Sequence, residues 1–172
     1  LDDSVGKIIA ALDKSGARDN TLFIFTSDTG GLSYEEDGVR DSNTSNFPLR
    51  GRKGSEYEGG IRVPWIVRWP GRTQAGTVCD VPIHHVDLFP TLLAVANGAP
   101  PPQTLHGVNL APLFQAPGEG LAKRYLYWYL PGYSAFHEPS VMVRRGQWKL
   151  IRSLESEAFQ LFNTSTDIGE TN

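Results

Sequence analysis

Residues 22–31 read LFIFTSDTGG, and residues 48–64 read PLRGRKGSEYEGGIRVP. The first stretch opens with Leu22 to Thr26, a largely apolar, β-rich run between the turn-forming Asp19-Asn20 and the pair Gly30-Gly31. A short continuous run of this kind predicts a strand covered on both faces, as in a parallel sheet flanked by helices. In open sheets of that type ligands bind beyond the carboxyl ends of the strands, where adjacent loops diverge and leave a crevice. Asp28 falls at that place. Its carboxylate, with the hydroxyl of Thr29 beside it, offers hard oxygen ligands suited to Ca2+ or Mg2+ rather than Zn2+. Gly30 and Gly31 would let the backbone come close to an ion or ligand. Taken alone the pattern is weak, because an aspartate near glycine after a strand is usually a turn residue.

The second stretch carries Lys53 among glycines and arginines. The glycine spacing before the lysine is wrong for a phosphate-binding P-loop. A bland reading makes Lys53 a solvated loop residue. The functional reading makes it a point charge that binds a sulfate or phosphate oxygen and stabilises charge developing on the leaving oxygen. Arg50 and Arg62 read as braces for the loop, each pairing with Glu56 or Glu58. One anion able to hold a cation and one cation able to hold an anion form half of a site for a doubly charged oxyanion ester.

Periodicity extends the picture outward. Val5, Ile8, Ile9 and Leu12 recur at helical spacing, with acidic residues at the start and Gly16 as the stop. Residues 61–69 form a second mainly apolar run, and residues 86–96 read as a helix with Pro90 near its first turn, where proline is tolerated. This alternation predicts an α/β fold, part of a doubly wound, mostly parallel sheet. Beyond Gly98, APPPQT makes a stiff connector and LHGVNLAPLF a short turn-and-helix piece. The aromatic run YLYWYL (125–130), VMVRR (141–145), WKLIR (148–152) and FQLF (159–162) predict a small carboxyl-terminal antiparallel sheet, with a hairpin turn at Gly146-Gln147. The expected division is 1–98 for the α/β portion and 99–172 for the connector and antiparallel subdomain. The aromatic run is expected to supply core and sheet face. His84 and His85 are expected to satisfy backbone groups at a helix start, and His106 and His137 to lie in loops. Asn43 and Asn163 each begin an N-T-S triplet.

Composition limits the function classes. The 172 residues carry a net charge of -3, with 40% hydrophobic and 20% charged residues, which suits a folded core rather than disorder. Nucleic-acid binding is disfavoured by the global charge, and the local basic cluster around Lys53 suits a small anionic ligand better than a polyanion. Cys79 is the single cysteine, which excludes an internal disulfide. No stretch has the length and apolarity of a membrane span or a signal segment. The opening LDDSVGKIIAAL reads as the interior of a helix, so the expectation is a piece of a longer protein.

The ordered set LDDSVGKI, NTLFIFTSDTGG, PLRGRKGSEYEGGIRVPWIVRWPG, HVDLFPTLL and WKLIR resembles the carboxyl-terminal half of the type I sulfatase family, within the wider alkaline-phosphatase-like superfamily. That resemblance implies hydrolysis of sulfate esters, with a formylglycine made from Cys or Ser beside a bound Ca2+ (or Mg2+). It implies that Asp28 is a calcium ligand, with Thr29 at the position where the family usually places a further ligand, Asn, and that Lys53 contacts the substrate sulfate. The family's Cys/Ser-x-Pro-x-Arg segment does not occur in this sequence, and Cys79 does not match it; the formylglycine is expected upstream. By the same resemblance the partner of these residues is the amino-terminal half of the same protein. The implied substrate is a sulfated small molecule or carbohydrate, and the implied location exported, periplasmic or lysosomal. The 172 residues alone are expected to be inactive. Two alternatives stand beside this reading: a phosphatase- or phosphonate-hydrolase-like relative, and a non-catalytic module that kept the fold.

Overall fold

A computed structural model describes residues 1–32, 44–118, 121–132 and 138–172. His137 and Asn43 lie outside the described residues. The chain divides into two compact units, one formed by Leu1–Phe25 and Trp65–Leu121, the other by Thr26–Pro64 and Ala122–Asn172.

In the first unit, helix α1 (Asp2–Ser15) places Asp2 and Asp3 in its first turn and Lys14 in its last, matching the helix dipole at both ends. It stops at Gly16, whose φ of 71° is the left-handed cap that glycine adopts without a Cβ penalty. Strand β1 (Phe23–Thr26) forms a two-stranded sheet with β2 (Trp65–Arg68). β1 is half-buried along its length rather than covered on both faces. A two-stranded ribbon has too little surface to cover its own strands.

A second feature of this unit is polar and buried. Asp87 closes a short 3-10 turn (His85–Asp87) that runs into helix α3 (Leu88–Val95). One Asp87 carboxylate oxygen accepts from the amide of His84 at 2.8 Å and the other from that of Val108 at 2.9 Å. Thr91 donates its hydroxyl to the Asp87 carbonyl at 2.6 Å and accepts from the amide of Leu110 at 2.9 Å. These bonds fasten the segment before α4 (Ala111–Gln115) to α3, with Leu110 and Leu113 buried beside them. His84 accepts from the amide of Val86 through Nδ1, which is the helix-start role expected from its position.

The second unit holds a four-stranded antiparallel sheet in the order β3 (Leu126–Leu130), β4 (Ser140–Arg145), β5 (Trp148–Ser153), β6 (Phe159–Asn163). The α/β fold with a small carboxyl-terminal antiparallel sheet is thus the architecture. Gly146, at a φ of 58°, turns β4 into β5 so that Arg145 faces Trp148. Register and alternation decide the two faces. Met142, Ile151 and Phe162 are buried on one face and pack with Tyr57, Ile61, Trp128 and Leu130. The other face presents Tyr127, Tyr129, Phe159 and Leu161 to solvent. The tyrosines of the aromatic run therefore belong to the open face, and Leu126, Trp128 and Leu130 turn inward, because neighbouring side chains on a strand point opposite ways.

Two charged residues share the inward face. Arg144 lies beside Lys149 in the β4–β5 register, in the same parity as Met142 and Ile151. Lys149 is 0% exposed, and its ammonium contacts Glu170 at 2.7 Å and Glu58 at 3.4 Å, both carboxylates also sealed from solvent. Arg144 reaches the second oxygen of Glu58 at 2.8 Å. Glu170 accepts in addition from the amide of Glu58 at 2.6 Å. It sits in the left-handed region at a φ of 51°, a conformation that costs a non-glycine residue about 1 kcal/mol or more. The turn that holds it there is tied by Asp167, whose carboxylate accepts from the amides of Thr171 and Asn172 and is held below its ordinary pKa by those bonds, that of Thr171 first.

Burial pushes the Glu170 carboxyl above its ordinary value, opposed by the Lys149 charge and the Glu58 amide. A carboxyl whose folded pKa is raised binds protons more readily in the folded state, so its contribution to stability grows as pH falls through that pKa. Lys149→Met removes the ammonium and leaves the two carboxylates facing one another. It should lower unfolding free energy by about 3–5 kcal/mol at pH 7, and recover part of that loss as pH is lowered toward 5. Urea titrations of variant and parent at the two pH values check this, and an equal deficit at both would contradict it.

Candidate functional site

The candidate residues all belong to the second unit. Asp28 follows the end of β1 and is exposed, its Oδ1 accepting from the amide of Thr29 at 3.0 Å. Thr29 is half-buried, and its carbonyl accepts from the Ser27 hydroxyl at 2.8 Å. Lys53 is exposed at the second position of a tight turn, Arg52–Ser55. That turn is closed by a Ser55 amide to Arg52 carbonyl bond of 2.9 Å and by the Ser55 hydroxyl accepting from the Arg52 amide at 3.0 Å. Gly54 takes a φ of 89° at the third position, which a side chain would resist. The turn therefore points Lys53 outward while Ser55 is buried beneath it.

Backbone bonds join the two loops that carry these residues. The amide of Lys53 donates to the Gly31 carbonyl at 3.0 Å, and the amide of Gly30 donates to the Gly60 carbonyl at 2.9 Å. Asn46 completes the junction. Its Oδ1 accepts from the Gly31 amide at 3.0 Å, while its Nδ2 donates to the carbonyls of Gly31 at 2.9 Å and Gly51 at 3.1 Å. Asp28 is thus three positions from a residue bonded on both sides to the Lys53 loop.

The glycines of this region are packing necessities. A Cβ on Gly30 would stand 1.7 Å from the Gly59 carbonyl oxygen, one on Gly59 2.2 Å from that of Gly51, and one on Gly60 2.2 Å from that of Ser55. Three backbone segments touch here with no side chain between them. The short helix α2 (Glu58–Ile61) follows directly and is buried at Glu58, Gly59 and Gly60.

The arginines divide their work differently from the expected pairing. Arg62 lies 3.8 Å from Glu58, one turn away on α2, as a brace would. Arg50 instead donates to the Glu170 carbonyl at 2.9 Å and stacks on the Tyr57 ring with 3.8 Å between guanidinium carbon and ring centroid. The cause is the carboxyl-terminal turn, 120 residues downstream, which brings an acceptor and an aromatic face into reach. Sequence reading passed over Asn46, Arg144, Lys149 and Glu170. The parity of β5 held the one available signal: Lys149 alternates in step with Ile151, so a charge was due on the inward face.

Among the described residues no group of three or more His, Cys, Asp or Glu side chains is arranged to hold a metal ion. Asp28 offers a single exposed carboxylate, one oxygen of which already accepts an amide. Ca2+ takes six to eight oxygen ligands. Among the described residues, Asp28 therefore offers at most a share of such a ligand set. Of the remaining histidines, His85 packs against Trp65 at 5.7 Å between rings and His106 is exposed. Asn163 turns its Oδ1 inward on its own triplet, accepting from the Ser165 hydroxyl at 2.7 Å.

The family model described as Sulfatase matches residues 1–99, and that described as N-sulphoglucosamine sulphohydrolase, C-terminal, matches residues 52–172. The chain belongs to the sulfatase family. It is 33% identical over 190 aligned positions to a sulfatase of Formosa agariphila, covering 99% of this chain and 33% of that protein. It is 38% identical over 136 positions to the steryl-sulfatase of Mus musculus, covering 77% of this chain and 22% of that one. Among solved structures, BT4656 in complex with its substrate D-glucosamine-2-N,6-O-disulfate superposes with a TM-score of 0.79 at 26% identity, over 99% of this chain and 33% of that one. The chain thus spans no more than about a third of the length of these relatives.

Gly30→Ala tests the junction directly. The added methyl meets backbone rather than a mobile side chain, so it should destabilise the second unit by about 1–3 kcal/mol or more. Thermal melts of Gly30→Ala against Gly54→Ala, where the space around the Cβ is open and only the backbone conformation objects, separate the clash from the loss of glycine. A Gly30→Ala melt no lower than that of Gly54→Ala would contradict a close-packed junction.

Proposed function

We propose that this chain is the carboxyl-terminal portion of a sulfuric ester hydrolase and supplies part of its catalytic site. Lys53 binds an oxygen of the substrate sulfate group. Asp28 contributes one ligand to a Ca2+ ion, with Mg2+ as the alternative, and the Thr29 hydroxyl stands where a further ligand would fall. The nucleophile, a formylglycine, lies in another segment of the protein, so these 172 residues have no turnover of their own. The observation that carries the reading is the amide of Lys53 bonded to the Gly31 carbonyl, inside a segment matched by the sulfatase family model. That bond ties the lysine-bearing turn to the loop of the carboxylate.

The chemistry suits the residue types. A sulfate ester in hydrolysis develops charge on its oxygens, and a fixed cation placed against them stabilises the transition state more than the ground state. Lys53 is exposed at the apex of a turn whose backbone is fixed, so its ammonium can reach a ligand while its origin stays put. When bound, Ca2+ supplies further neutralisation of those oxygens. The carboxylate of Asp28, with one oxygen engaged by the Thr29 amide, keeps the other for an ion. A sulfated carbohydrate is the favoured substrate class, because a neighbour at a TM-score of 0.79 was solved with a sulfated glucosamine.

In the full-length protein, Lys53→Ala should lower kcat/KM for an aryl or amino-sugar sulfate by about 10²–10³-fold with an unchanged melting temperature. Unchanged kinetics would remove Lys53 from the site. Asp28→Ala should weaken Ca2+ binding measured by calorimetry, along with activity; equal affinity in variant and parent would exclude the carboxylate as a ligand.

A further inference from the structure

We propose that Glu58 is a positioning residue of this site: clamped by Lys149, Arg144 and Glu170, it fixes the loop of Asp28 and the loop of Lys53 relative to each other. The inference rests on the roles proposed for Asp28 and Lys53. Neither loop is held by its own candidate side chain, since both Asp28 and Lys53 are exposed. What holds them is the Asn46 side chain together with backbone bonds, and two of those backbone bonds run through α2.

Glu58 is gripped at both ends. Its carboxylate takes Arg144 on one oxygen at 2.8 Å and Lys149 on the other at 3.4 Å. Its own amide donates to Glu170 at 2.6 Å. The next residue, Gly59, donates its amide to the Arg50 carbonyl at 2.7 Å, at the entrance to the Lys53 turn. The one after, Gly60, accepts from Gly30 at 2.9 Å, two positions beyond Asp28. One residue with a fixed side chain is therefore followed by two glycines, one bonded to each loop.

The contacts leave no slack. At Gly30, Gly59 and Gly60 even a methyl would overlap a backbone oxygen, so a shift of α2 is passed on rather than absorbed. Close-packed interiors transmit strain in this way. A displacement of a catalytic group by about 1 Å can cost on the order of 10²-fold in rate. The clamp itself is directional: each charged contact has a preferred geometry, unlike an apolar contact of equal area.

The test is a double-mutant cycle in the full-length protein, with turnover of an aryl sulfate read at a temperature where every variant is folded by circular dichroism. Glu58→Gln keeps the shape of the side chain and loses its charge. With Ca2+ saturating, so that only the route through the Lys53 loop is read, it should lower kcat/KM by about 10–100-fold, and the Lys53→Ala/Glu58→Gln double variant should be no slower than Lys53→Ala within about twofold, as expected when one residue acts through the other. Losses that multiply would overturn the positioning role, as would a Glu58→Gln that melts lower yet turns over normally. Arg144→Gln, at a side chain that retains some solvent contact, carries the same cycle if Glu58→Gln does not fold. Calorimetric Ca2+ titration, which needs no turnover, should show affinity about tenfold weaker in Glu58→Gln and unchanged in Lys53→Ala; parent-like affinity in Glu58→Gln would overturn the link to the Asp28 loop. If Lys53→Ala alone leaves turnover intact, the sulfate-binding role falls and takes the positioning role with it, an outcome distinct from multiplied losses.

Discussion

The ammonium of Lys149, sealed from solvent between the carboxylates of Glu58 and Glu170, is the contact on which the second unit is organised. An ion in the protein interior is expensive to desolvate, and the cost is offset only when opposite charges and hydrogen bonds surround it. Here two carboxylates meet two cations, Lys149 and Arg144, and the Glu58 amide satisfies a further oxygen of Glu170. The four partners come from three parts of the chain: Glu58 from the glycine-rich loop, Arg144 and Lys149 from the β4–β5 hairpin, and Glu170 from the carboxyl-terminal turn. Removing Lys149 takes from Glu170 the cation beside it. The network therefore makes docking of the loop on the sheet an all-or-none arrangement with one geometry.

Hydrophobic burial surrounds this network without replacing it. Met142, Ile151 and Phe162 pack with Tyr57, which precedes Glu58, and with Ile61, three residues after it. Apolar contact supplies most of the driving force for bringing sheet and loop together, but it is non-directional. A buried ion pair between hydrophobic neighbours contributes less to stability than to orientation, since well-packed apolar residues often serve stability equally. For a segment that carries a candidate catalytic lysine, orientation is the property that matters. The open face of the same sheet, with Tyr127, Tyr129, Phe159 and Leu161 exposed, keeps its charges in solvent, Arg145 over the Tyr125 ring and Arg152 over that of Phe159.

Much of this was legible from local pattern. Helix α1 and its glycine stop, the strand before Asp28, helix α3 with its proline, and the hairpin at Gly146 follow from short-range rules that ask only for neighbouring residues. Gly30 was read as leaving room for an ion or ligand, whereas the Gly59 backbone fills that space, and the family resemblance placed Asp28 and Lys53 among the residues to watch. The bracing of the arginines was half visible. Arg62 finds Glu58 because they are four apart on a helix, a spacing that sequence displays. Arg50 finds the Glu170 carbonyl and the Tyr57 ring, and no spacing displays that.

The sequence by itself settled the class of fold, the order of the elements and the family, because periodicity and turn chemistry are local and the motif residues are contiguous. Tertiary structure alone decided which charges are buried, which tyrosines are left in water, and that Asn46 and α2 clasp the two loops. Those outcomes depend on partners separated by dozens of residues, and the physical reason is the same for each. A buried charge or a glycine without room for a Cβ is defined by what stands opposite it, and that neighbour exists only once the chain has folded.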